Sequence, residues 1–142
     1  MRSLVAAFAV ALVALPLAPA EEKVHPDVAA ILKAIQGKEH LPAGEVFKNV
    51  QVLKDIPAAQ FLRIMDVGYS RSLGVGCMHC HSEDQRWDAD ERRPKMAARD
   101  MALMTREINA KLANMQFIDS PEAIVNCTTC HRGSIKPSTT MR

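Results

Sequence analysis

Beyond an apolar run from Leu4 to Leu17, hydrophobic positions recur mainly at intervals of three and four residues. In "HPDVAAILKAIQG", Val28, Ile31, Leu32 and Ile35 share one face, Pro26 sits in the first turn and Gly37 marks the stop. This predicts a short helix acting as a lid or brace. "LPAGEVFKNVQVLKDIP" alternates instead, through Val50, Val52 and Ile56, and predicts an extended stretch, too little for a sheet protein. Pro57 opens a second helix, "PAAQFLRIMDVGYSRSLG", with Phe61, Ile64, Met65 and Gly68 at helical spacing and Gly74 beyond its end. Pro94 opens a longer one over 94–115, where Ala97, Met101, Met104, Ile108, Leu112 and Met115 follow a three-four pattern. Ser120 and Pro121, a capping residue and a first-turn proline, predict the start of the last helix, which Gly133 and Pro137 close. The expected fold class is mainly α: two units, each a helix, a turn and a short helix.

The first twenty residues add Arg2 ahead of the apolar run and Ala18-Pro19-Ala20 after it, the shape of a secretory signal with cleavage expected before Glu21. The apolar run is shorter than the ~20 residues a spanning helix needs, which argues against a retained membrane anchor. Residues 1–20 are therefore expected as a signal peptide and 21–142 as one small exported domain, periplasmic in location.

Removing Arg2 takes the formal net charge from +2 to +1, a balance that implies neither nucleic acid nor an anionic membrane surface as partner. Phe47, Phe61, Tyr69, Trp87 and Phe117 are the aromatics left in that domain. So few suggest that a large, flat, apolar cofactor fills part of the interior.

The cysteines identify such a cofactor. The chain has four, in "GCMHCH" (76–81) and "NCTTCH" (126–131). Export would permit disulfides, but a disulfide has no use for the histidine that follows each pair. A four-thiolate zinc site would need the pairs closer together and again leaves His81 and His131 unexplained. A thioredoxin-like motif needs one pair in a βαβ setting that the pattern does not provide. Cys-x-x-Cys-His is the attachment site of c-type haem: two thiols add to the haem vinyl groups and the adjacent histidine binds iron. Cys77, Cys80 and His81 are thus expected to hold one haem, and Cys127, Cys130 and His131 a second.

The sixth iron ligand decides between electron transfer and catalysis. Methionine on a helical face is usually core filler. Met65, however, lies on the buried face of the helix that turns directly into the first motif, so that a hairpin would sandwich a haem. In the second unit Met101 and Met104 lie within one turn of each other, and periodicity does not choose between them. His25 and His40 read as surface residues and His79 as solvent-facing. Arg71, Arg99 and Arg132 are candidates for pairing with haem propionates, and Trp87 for covering a haem edge.

"NVQVLKDIPAAQFLRIMDVGYSRSLGVGCMHCH", "KMAARDMALMTREIN" and "CTTCHRG" resemble the haem-binding units of the photosynthetic reaction centre cytochrome c subunit family and its shorter exported relatives. In that family a methionine-bearing helix, a turn and a Cys-x-x-Cys-His helix grip each haem. The resemblance implies Met65 as ligand to the first haem and Met104, through "MTREIN", to the second. The family's subunit typically carries four haems in about twice the length, so this chain resembles a dihaem half. Many members are lipid-anchored through a cysteine at the cleavage site, where this chain has Glu21.

The function expected is an exported dihaem c-type cytochrome that carries single electrons between redox partners through two covalently attached His/Met haems, and is not an enzyme. Its partners would be redox proteins or a membrane-bound redox complex, met through small transient interfaces, with the chain monomeric or weakly self-associating. The competing classes are a dihaem peroxidase-like enzyme and a gas-binding haem sensor, each of which needs one open iron.

Overall fold

The computed structural model describes residues 23–120 and 122–140; the expected signal peptide lies outside them. The described residues form five α-helices, a π-helical segment and one 3₁₀ turn, with no strand among them. No described helix is long and apolar enough to cross a membrane.

Helix α1, Pro26–Ala34, forms where the spacing predicts it. His25 caps it through Nδ1, which accepts from the Asp27 N–H at 3.3 Å, and Gly37 follows at φ +85°. The expected face is the one buried: Val28 and Ile35 pack with Ala58 and Leu62 into a small core, flanked by Ile31, Leu32, Val46 and Phe47.

The extended stretch expected between Leu41 and Pro57 is instead a closed loop. It begins with a single helical turn, α2, Ala43–Val46. A bridge between Pro42 and Pro57 cinches its ends, helped by Ala43 N–H to Ile56 O (2.8 Å) and Gly44 N–H to Lys54 O (2.9 Å). Asn49 (φ 58°) and Leu53 (φ 60°) adopt left-handed backbone, which breaks any strand whatever the Val50/Val52 alternation favours.

Helix α3, Ala58–Arg63, continues without interruption into a π-helical segment, Ile64–Arg71. Windings of this kind are rare and are frequently found at functional sites. The wider turn changes which side chains share a face. Gly68, expected on the buried side, is absent from it, and Tyr69, Ser70 and Leu73 join Phe61, Leu62 and Met65 there. The first cysteine motif follows as a 3₁₀ turn, Cys77–His79, rather than a full helix.

Helix α4, Arg93–Leu112, starts with Pro94 in its first turn and ends three residues before Met115. Its N-terminal half clamps two loops. Arg99, buried, donates to Asp90 Oδ2 (2.9 Å) and to Asn49 O (3.2 Å), while Lys95 Nζ donates to Trp87 O (2.9 Å) and Ala89 O (2.7 Å). Helix α5, Cys127–His131, begins later than the Ser120–Pro121 pair implies. Its cap is Asn126, whose Oδ1 accepts from the Thr129 N–H while Thr129 Oγ1 accepts from the Asn126 N–H, both at 3.1 Å. This is a capping box.

Candidate haem sites

Five separate segments wall one cavity of about 350 Å³: α1, the 46–52 loop, the α3–π helix, the first cysteine motif with the loop after it, and the start of α4. Met65, Cys77, Cys80 and His81 all line it, together with apolar groups such as Phe47, Val52 and Trp87, and with Lys95 and Arg99. The four residues expected around the first haem are therefore brought to one space. Among the described residues no large side chain is fully buried, so the protein's own packing leaves this interior to be filled.

The chemistry of the walls fits a c-type haem. Cys77, Cys80, Cys127 and Cys130 are all free thiols. His81 Nδ1 lies 3.1 Å from the carbonyl oxygen of Trp87, and the Trp87 ring stands edge-on to the imidazole at 5.2 Å between centroids. With Nδ1–H donated to that carbonyl, Nε2 keeps its lone pair for a metal, the usual arrangement of a ligating histidine. Burial, reinforced by the positive charge of Lys95, holds the His81 pKa below its ordinary value and so favours the neutral imidazole. Burial also pushes the Cys77 and Cys80 thiols up, with Asp27 adding to the effect at Cys77.

The second motif repeats the histidine arrangement in a more open setting. His131 Nδ1 lies 3.0 Å from Ser134 O. Asn109 of α4 pins the approach to the motif from both sides, donating to Val125 O (2.9 Å) and accepting from the Val125 N–H (2.7 Å). Cys127 is half-buried and Cys130 exposed. Met101 and Met104 are exposed to 46% and 44%, so burial does not separate them any more than spacing does.

Several side chains behave differently from their sequence expectation. His25, read as a surface residue, is half-buried, caps α1 and brings Nδ1 to 3.7 Å from Cys77 Sγ. His79 is half-buried rather than fully solvent-facing, while His40 is exposed as expected. Among the three arginines, Arg99 lines the cavity. Arg71 binds the buried Asp66 carboxylate at 2.9 Å and the Lys23 carbonyl, and Arg132 is an exposed left-handed cap on α5. The backbone carbonyls of Trp87 and Ser134 carry no sequence signal. Asn126-x-x-Thr129 did carry one, as a capping box.

A family model described as photosynthetic reaction centre cytochrome c subunit matches residues 14–141. The chain belongs to that family. Among its relatives, the reaction centre cytochrome c subunit of Roseobacter denitrificans is 36% identical over 107 residues, 72% of this chain and 28% of that protein. The corresponding subunit of Thermochromatium tepidum is 35% identical over 115 residues, 75% of this chain and 27% of its own length. Cytochrome c-554 of Chloroflexus aurantiacus is 36% identical over 89 residues, 61% of this chain and 20% of its own. The match thus spans about a quarter of the curated relatives, and both cysteine motifs fall inside the matched family region.

Proposed function

We propose that the chain is an exported c-type cytochrome that carries single electrons through two covalently attached haems and catalyses no reaction of its own. The observation that carries this reading is the convergence of Met65, Cys77, Cys80 and His81 on one cavity, with His81 oriented by the Trp87 carbonyl. Each haem supplies one-electron Fe(III)/Fe(II) chemistry when bound. The chain does the rest. Cys77 and Cys80 would tether the first group and Cys127 and Cys130 the second, each thiol S–H adding across a vinyl double bond. His81 and His131 would hold iron through Nε2, and Met65 and Met104 would be its further protein ligands. The mainly apolar cavity walls would limit water around a bound haem, and Arg99 and Lys95, both anchored on Asp90, would offer positive charge to propionates.

Redox proteins, among them a membrane-bound redox complex, are the partners this chemistry fits, and the expected leader directs the chain to the periplasm. The deciding experiment is the visible spectrum of the purified, reduced protein with and without carbon monoxide, together with its intact mass. A mass increase of two haems and a low-spin c-type spectrum indifferent to carbon monoxide is the expected result. A spectrum that shifts with carbon monoxide would mean an open iron and move the function to peroxide or gas chemistry.

A further inference from the structure

The second cysteine motif lies fifty residues beyond the first in sequence but packs against the helix that leads into the first. The point of contact is the C-terminal end of the π-helical segment. Ser72, buried, bonds through Oγ to Thr128 Oγ1 of α5 at 2.6 Å and donates to Val67 O at 3.2 Å, while its carbonyl accepts from the Gly133 N–H at 2.8 Å. Two glycines complete the junction. Gly74 and Gly133 both hold positive φ, and a Cβ on Gly74 would meet the Gly133 carbonyl group. Only glycine there lets the tail of the first helix abut the tail of the second motif, backbone against backbone.

Tyr69 lies three residues before Ser72 on this same helix and four after Met65. It lines the first cavity with Met65, Cys77, Cys80 and His81, and Ser72, less than one turn further along the same helix, bonds Thr128, the residue next to Cys127. It is also the chain's only tyrosine.

We propose that Tyr69 stands between the two haems and is the medium through which an electron passes from one iron to the other, held in place by the Ser72–Thr128 and Ser72–Gly133 bonds. This rests on the dihaem reading above. In the exchange one iron goes from Fe(II) to Fe(III) as the other goes from Fe(III) to Fe(II); Tyr69 stays a neutral phenol throughout, and no proton or bond is moved. A rigid, polarisable ring fixed at a backbone junction provides a dense and invariant path where a small or flexible side chain would admit water. Tyr69 is thus a positioning residue for the pair of haems, a ligand to neither.

The test uses the wild-type holoprotein first. With tyrosine isotope-labelled, the single tyrosine's ring resonances are followed by NMR through a stepwise reductive titration, since a paramagnetic iron displaces nearby resonances. A ring between the haems shifts at both reduction steps. A ring that shifts at only one step overturns the proposal, whatever the behaviour of variants. A mass short of two haems overturns the dihaem reading itself, a different failure.

Tyr69→Leu and Tyr69→Phe then test the path. After flash reduction of one haem, equilibration between the two should slow in the Leu variant and stay near wild type in the Phe variant, with the low-spin spectrum of both unchanged. Equal rates in Leu, Phe and wild type would overturn the proposal. A merely structural role would lower the thermal midpoint without separating Leu from Phe in rate.

Discussion

Gly74→Ala measures the junction between the two motifs. At φ +67° a non-glycine residue is strained, which costs roughly 1–2 kcal/mol. The added Cβ would also lie 3.0 Å from the Gly133 carbonyl carbon and closer still to its oxygen. The neighbour is backbone and cannot rotate away, so the two strands of the junction must part. Parting them weakens Gly133 N–H to Ser72 O and Ser72 Oγ to Thr128 Oγ1, each worth about 1 kcal/mol. Alanine's smaller unfolded-state entropy returns somewhat less than 1 kcal/mol, leaving a net loss of about 3 kcal/mol. Gly133→Ala is the control, because its φ is +81° but nothing lies within 4 Å of the added Cβ; it carries the strain alone, about 1 kcal/mol. For a domain of this size that is a fall in thermal midpoint of roughly 10 °C for Gly74→Ala against roughly 4 °C for Gly133→Ala. Helical circular dichroism of the oxidised holoprotein on heating reads both. Equal losses would show that the close approach contributes nothing beyond φ strain, and would refute the junction as described.

Tyr69 should ionise near pH 12 in place of 10.0, pushed up first by burial; the Cys127 and Cys80 charges add to this only while those thiols are not bonded to haem. Its contribution to stability is full below pH 10 and is lost as the pH rises toward 12; phenolate absorbance and alkaline unfolding should track together, and Tyr69→Phe should flatten the stability change across that window. At Asp66 burial alone would push the carboxyl up, but the Arg71 guanidinium and the His25 N–H outweigh it and hold the group below 3.8. That stability is present above pH about 4 and disappears as the pH falls through the folded-state value. Asp66→Asn should cost about 2 kcal/mol at pH 7 and progressively less as the pH falls below about 4, measured by urea unfolding. Replacing Met104 by Ala should open the second iron to carbon monoxide while Met101→Ala leaves it closed; the reverse result gives the ligand role to Met101.

The candidate attachment residues stand out in the sequence because c-type haem chemistry is local: two thiols and an imidazole must lie within one short turn, and the structure puts Cys77, Cys80 and His81 of that spacing on one cavity. Helix α1 was legible for the same reason, with a first-turn proline, a stop glycine and four apolar residues at regular intervals. The 46–57 loop was not, since Val50 and Val52 alternate as in a strand while the left-handed backbone at Asn49 and Leu53 depends on tertiary closure through Pro42 and Pro57. The π winding at Ile64–Arg71 escaped a rule that assumes a single helical period, and with it the placement of Tyr69 on the cavity face. The carbonyls that orient His81 and His131 belong to backbone, and sequence marks no backbone acceptor. The second methionine stayed ambiguous because Met101 and Met104 face the same open side of α4 with nearly equal exposure.

The contrast between the two units bears on how fold and cofactor depend on each other. Val28, Ile35, Ala58 and Leu62 make a core too small to hold together a chain of this length by itself. Around the first cavity, α1, the 46–52 loop, the π helix, the first motif and α4 all contribute to the walls of one space. A flat apolar group bonded to Cys77 and Cys80 would contact all five segments at once, so binding it and ordering them are one thermodynamic event, as with structural metals in small domains. At the second motif the order is already supplied by protein: the capping box at Asn126, the Asn109 clamp on Val125 and the Ser72 junction hold α5 without a cofactor. On the dihaem reading proposed above, the first haem would complete a core, and the second would be displayed on a preformed platform with one exposed cysteine. Electron exchange with outside partners would then use the exposed site, with the proposed role of Tyr69 joining it to the enclosed one.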